Sequence, residues 1–222
     1  MNRAFKFRSE SEHLNQNFVE LANEIVAKGV KAGVTITPYL STELPIFSKL
    51  SIDFKNEIIK SMRSYVDILS DGEKICNDYG ETKSLVWFAF KRLGYIPPAD
   101  ILNVIDDDMI VEVHNRQLRQ VFRNFTFYEY CSYSLEELYS CPWPTLYTRK
   151  VEEMKLITDV IQKLYKGEES FLKCSIKPHE VREVRSAFKY KLNYQLHFAC
   201  GLVKTKSKTV DAVLLCEKAS IL

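Results

Sequence analysis

The stretch Asn124–Leu146, NFTFYEYCSYSLEELYSCPWPTL, decides how this chain is read. Ser134 is placed to cap a helix, because its hydroxyl accepts from the free amides of the following turn. Glu136 and Glu137 add negative charge at the positive end of that helix. Cys141-Pro142-Trp143-Pro144 must end it, since each proline removes an amide donor and pushes its predecessor out of the helical region.

Outward from this segment the hydrophobic period changes. Residues Met109–His114 and Leu118–Asn124 read as two short strands joined at Asn115-Arg116-Gln117, a turn that lacks the glycine common in hairpins. Val151–Lys166 carries Val151, Met154, Ile157, Ile161, Leu164 and Tyr165 at helical spacing, with Gly167 as its terminator. Three further strands are expected at 170–176, 187–200 and 210–217. In the middle one Phe188, Tyr190, Leu192, Tyr194, Leu196 and Phe198 alternate with polar residues, so they are expected to share one face of a sheet.

The first half is helical by the same test. Leu14, Phe18, Leu21, Ile25 and Val26 make an apolar stripe in 12–28, with Ser11 as its cap and Gly29 as its stop. Gly29–Lys49 reads as connecting structure with a short turn of helix after Thr42. A second helix is expected at 51–69, ended by Asp71-Gly72, and a third at 81–93, closed by Gly94 and Pro97-Pro98. The run Leu85–Phe90 is apolar enough to need cover on most sides. A short helix is expected over 98–104. Asp106-Asp107-Asp108 marks the seam between the halves and reads as an acidic surface turn, since an oxygen cage for Mg²⁺ or Ca²⁺ needs ligands at alternate positions of a folded loop.

In their order and spacing, Asn124, Phe127, Ser132, Tyr133, Ser134, Glu136, Glu137, Leu138, Pro142 and Trp143 resemble the PAS sensory domain. The resemblance extends over about 108–222, and its motif-grade part is 124–143. It implies an α+β fold: a helical N-terminal region, 1–105, followed by a PAS-like five-stranded antiparallel sheet with flanking helices, 106–222. A PAS domain usually holds its ligand between sheet and helices, so Phe127, Tyr130, Trp143, Tyr190, Leu192, Tyr194, Leu196 and Phe198 become candidate pocket residues, with a filled core as the alternative. Glycine normally precedes the Tyr-Ser pair of the family; Ser132 stands there, and would be strained if that position required positive φ. The light-sensing branch needs a Cys in an Asn-Cys-Arg-Phe-Leu-Gln run, where this chain has Pro142–Tyr147, and haem-binding members place a His on the long helix, where it has none. No cofactor is therefore expected.

Composition narrows the rest. No apolar run approaches a membrane span and the first eight residues lack the apolar stretch of a secretory signal, so a cytoplasmic protein is expected. Six cysteines without CxxC read as reduced thiols, with neither a disulfide framework nor a zinc site. Lys and Arg number 13 against 16 Asp and Glu up to Asp108, and 18 against 13 after it, an asymmetry too weak for a nucleic-acid partner. No phosphate loop, GxSxG elbow or HExxH is present, and no enzymatic activity is expected. The functional expectation is a bacterial-type signal-sensing protein, a homodimer that binds a small apolar ligand or a partner protein and signals through its N-terminal helices to a separate output protein. The alternative is a helical adaptor or transcription-regulatory protein that uses the PAS-like domain only for dimerisation and interaction.

Overall fold

Three helices precede the sheet. The computed structural model describes residues 2–38, 43–75, 80–174, 176–186, 188–207 and 209–222, with side chains from residue 10 onward. Thr42, where a turn of helix was expected to begin, lies outside the described residues, and a 3-10 turn follows at Phe47–Lys49. The first helix, α1 (Asn2–Lys31), overruns both of its expected limits. Ser11 lies within it, and its hydroxyl accepts from Lys55 Nζ at 2.7 Å. Gly29 also lies within it: a Cβ there would stand 2.5 Å from Ile36 Cδ1, so this glycine serves the close approach of the returning chain. The left-handed turn falls instead at Gly33, φ 75°.

Helix α2 (Ile52–Ile75) likewise runs through Asp71-Gly72. Asp71 accepts from Arg92 Nε and Nη2 at 2.5 and 2.9 Å, and Gly72 is buried, so both residues serve the packing of α2 on α3 (Thr82–Leu93). Helix α3 ends as expected at Gly94, φ 70°. After β1 (Tyr95–Ile96) and the single turn α4 (Ile101–Val104), the three aspartates form an exposed turn in which Lys218 reaches Asp108 at 2.8 Å and Asp106 at 3.6 Å.

Strands β2 (Ile110–Asn115) and β3 (Gln120–Arg123) form the expected hairpin. Its turn works without glycine because Leu118 takes φ 56° and Asn115 Oδ1 accepts from the Gln117 and Arg119 amides, both at 3.0 Å. Then come α5 (Thr126–Glu129), α6 (Leu135–Ser140), a 3-10 turn at Trp143–Thr145, β4 (Tyr147–Thr148), α7 (Val151–Lys166), β5 (Phe171–Lys173), β6 (His179–Glu183), β7 (Lys191–Lys204) and β8 (Val210–Ile221). Ser134 caps α6 in a reciprocal box with Glu137: its hydroxyl accepts from the Glu137 amide at 3.2 Å, while its own amide donates to Glu137 Oε2 at 2.9 Å.

Every pairing in the sheet is antiparallel, and the sheet is curled, with strand order β3-β2-β8-β7-β6-β4. It has eight strands, three more than expected. The additions are the two-residue β1 and β4, and β6, whose inward positions are His179, Val181 and Glu183. β1, β5 and β6 all pair with β7, one after another along a single edge. Residues 212–217 of β8 are buried without alternation, so both faces of the sheet are covered. On one face Phe122 lies opposite Val113 and meets the ring of Tyr65 from α2 at 6.1 Å. On the other, carrying Ile110, Glu112 and Glu217, lie Phe127 of α5 and the Trp143 turn. The hydrophobic core is continuous from Leu14 to Cys216 and crosses residue 105 without a break. Among the described residues, no helix is long and apolar enough to cross a membrane.

Asn124 locks this arrangement. It is fully buried; its Oδ1 accepts from the Val111 amide at 3.0 Å, while Nδ2 donates to Met109 O at 2.8 Å and to Thr82 Oγ1 at 3.0 Å. One side chain thus extends the β2–β3 ladder and ties it to the start of α3. Asn124→Ala strands these buried partners and is expected to lower stability by about 2–4 kcal/mol, measured by urea unfolding.

Candidate functional site

A cavity of about 30 Å³ lies between the sheet and its short helices. Five of the eight candidate residues line it: Phe127, Tyr130, Trp143, Leu192 and Tyr194. The other three are placed elsewhere. Leu196 is fully buried on the same face, just beyond the wall. Phe198 points to the opposite face, because His197 is bulged: Leu196 pairs with Glu217 and Phe198 with Cys216, neighbours on β8 that point in opposite directions. There it stacks against Phe171 at 5.4 Å. Tyr190 precedes β7, with its amide donating to Glu183 Oε2 at 2.9 Å, and its ring beside that of Phe188, which is exposed and off the strand.

Polar residues that sequence reasoning missed complete the wall: Glu112, Arg149 and Glu217. The available signal was an acid set among apolar strand residues, as in Ile110-Val111-Glu112-Val113 and Leu214-Leu215-Cys216-Glu217. Glu112 Oε2 lies 3.1 Å from His114 Nε2, and Gln120 Nε2 donates to Oε1. Glu217 is buried with no hydrogen-bond partner at Oε1. Burial, and then the proximity of Glu112, hold its carboxyl well above the usual carboxylate range, against the opposing pull of the Tyr194 hydroxyl and Arg149. Arg149 belongs to the link between β4 and α7. Its guanidinium carbon stands 4.7 Å from the centre of the Trp143 ring, 4.8 Å from Tyr194 and 5.7 Å from Tyr147. Trp143 is half-buried, edge-on to His114 at 5.5 Å, and also borders an open groove of about 690 Å³ between α2 and the β2–β3 hairpin.

The loop under this wall is fixed by Glu183, whose carboxylate accepts from the Ser132 amide at 2.8 Å, the Ser132 hydroxyl, Ser186 Oγ at 2.6 Å and the Tyr190 amide. Ser132 does not have positive φ, so no strain arises at this position; its hydroxyl supplies a bond that a glycine has no atom to make. Tyr133 is buried and donates to Leu146 O while accepting from the Val184 and Arg185 amides at 2.8 and 3.1 Å. Cys131, 3.7 Å from the Tyr147 hydroxyl, is pushed up to about 12 by burial and stays a neutral thiol. Among the described residues, no three His, Cys, Asp or Glu side chains gather as a metal ion would need.

No family model matches this chain, and no curated relative matches its sequence.

The raised Glu217 carboxyl sets a pH dependence. Below the ordinary carboxylate range, near 4.5, folded and unfolded chains both hold the proton and the group is silent. As pH rises above that, the unfolded chain releases its proton while the folded chain keeps it, so stability falls until the folded-state value is passed. Glu217→Gln is therefore expected to match the parent protein near pH 4 and to exceed it in melting temperature by a margin that grows towards pH 8, followed by thermal melts across that range.

Proposed function

We propose that this chain is a PAS-like signal-sensing module. A small ligand bound in the cavity between sheet and short helices would alter the link that leads into α7, and the N-terminal helical layer on the opposite face would carry the change to a partner. What carries this reading is the ionisable cluster in the cavity wall. Glu112 and Glu217 are buried, and Arg149 places two buried donor nitrogens without partners beside them. A core built only for packing would fill these positions with apolar residues, because desolvating charged groups costs several kcal/mol each. A carboxyl raised as that of Glu217 is, set in a cavity, is instead a common mark of a functional site.

The resemblance of 124–143 to the PAS motif supports the same reading, as do the order of the elements and the way the motif residues bond. Asn124, Tyr133, Ser134 and Glu137 each make structural hydrogen bonds in the places described above. The Tyr65 hydroxyl of α2 donates to Arg123 O at 2.9 Å, and the Ile46 and Phe47 amides donate to buried Glu136 at 2.8 and 2.9 Å. The N-terminal region is thus bonded to the sheet and to α6, which supports coupling between sheet and helices. We further propose that the module is a homodimer through these helices and acts on a separate output protein.

The alternative, an adaptor with a closed core, has one observation in its favour: 30 Å³ holds only about two water molecules. Native mass spectrometry of the purified chain separates the two readings. The expected spectrum shows a retained small molecule that is lost when Tyr194→Ala removes one cavity wall. Protein of bare mass, unchanged by incubation with cell extract metabolites, would favour the adaptor.

A further inference from the structure

The sensing cavity has a distinctive chemistry: the chain's own Arg149 head group is stacked among Trp143, Tyr194 and Tyr147, and its buried Nε and Nη1 make no hydrogen bond. Three aromatic faces around one cation form a cage, since each ring presents negative π density to the charge. Arginine in such a place normally also fills its fork of donors. This one is held by the rings and not by hydrogen bonds from Nε or Nη1. Beside it, Glu217 Oε1 is buried without a hydrogen-bond partner, and Glu112 adds a second carboxyl group. Once Arg149 has left, a cation entering the cavity would meet three π faces, Glu112 and the unpartnered Oε1 of Glu217, whereas an anion would meet the negative π density of the same rings.

We propose that the cavity is a site for a small organic cation, an amine or guanidine, whose charged head takes the place that Arg149 fills in this structure. This rests on the reading of the cavity as the sensor's ligand site. Size agrees with it: the 30 Å³ beside the guanidinium is too small for a drug-like molecule, but vacating the guanidinium adds the volume of a compact head group. Arg149 lies in the two-residue link between β4 and α7 and not within a helix or strand, and its buried Nε and Nη1 have no partner that its departure would strand. Ligand entry thereby becomes displacement of a residue at the threshold of α7, a helix that packs on β7 and β8.

The test uses the full chain with Arg149→Ala and methylguanidinium chloride as the probe, titrated calorimetrically against sodium chloride at equal ionic strength. Methylguanidinium is expected to bind Arg149→Ala at least tenfold more tightly than the parent protein, because the competing side chain is gone, and adding Trp143→Ala is expected to remove the gain. Should Arg149→Ala fail to fold, Arg149→Gln serves for the same titration. Equal affinity for parent and variant, or preferential binding of acetate from its sodium salt, overturns the cation assignment. A neutral or anionic molecule retained by the parent protein in native mass spectrometry likewise overturns it while leaving the sensor reading in place. Failure of methylguanidinium together with a bare native mass removes both.

Discussion

Burial of β8 on both faces is the constraint from which the rest of the architecture follows. A strand that is apolar in both directions needs two covering layers, and here the N-terminal helices supply one while the short helices and α7 supply the other. The helical first half is therefore half of the wrapping of one sheet. Asn124 and Glu136 show how tightly the layers are joined, since each spends its polar atoms on backbone or side-chain groups of the N-terminal region or of the ladder beside it.

Much of the frame was legible in the sequence because it rested on strong local signals. The cap at Ser134, the helix over Val151–Lys166, the left-handed Gly94 and Gly167, and the β2–β3 hairpin all follow from the physics of single residues or short periods. What escaped was decided by distant partners. Asp71-Gly72 looks like a stop until Arg92 is seen across from it on α3, and Gly29 looks like one until Ile36 packs on it. β6 was hidden because two of its three inward residues are His179 and Glu183, which only a folded polar pocket explains. The bulge at His197 has no signature in an alternating run, yet it moved Phe198 out of the candidate site.

The site itself was half legible. Three aromatic residues of the motif segment, Phe127, Tyr130 and Trp143, were identifiable from the resemblance, and they meet Leu192 and Tyr194 of β7 at the cavity. The charged members were not, because the pairing of β2 with β8 that brings Glu112 near Glu217 joins residues a hundred positions apart, and Arg149 sits in a link with no pattern of its own. Chemistry at this site therefore depends on register: one residue of slip in β8 would turn Glu217 to the other face and take one of the two carboxyl groups out of the lumen.

The arrangement of strands along β7 has a further consequence for how safely this chain can be made. The two longest strands, with 14 and 12 residues, lie inside the sheet, while its ends are β3 with four residues and β4 with two. Long apolar strands with free edges are templates for fibril growth, and here the exposed backbone at either margin is too short to recruit another molecule in register. Splitting the neighbour of β7 into β1, β5 and β6 makes that protection collective, so that loss of any one segment would uncover part of the longest described strand.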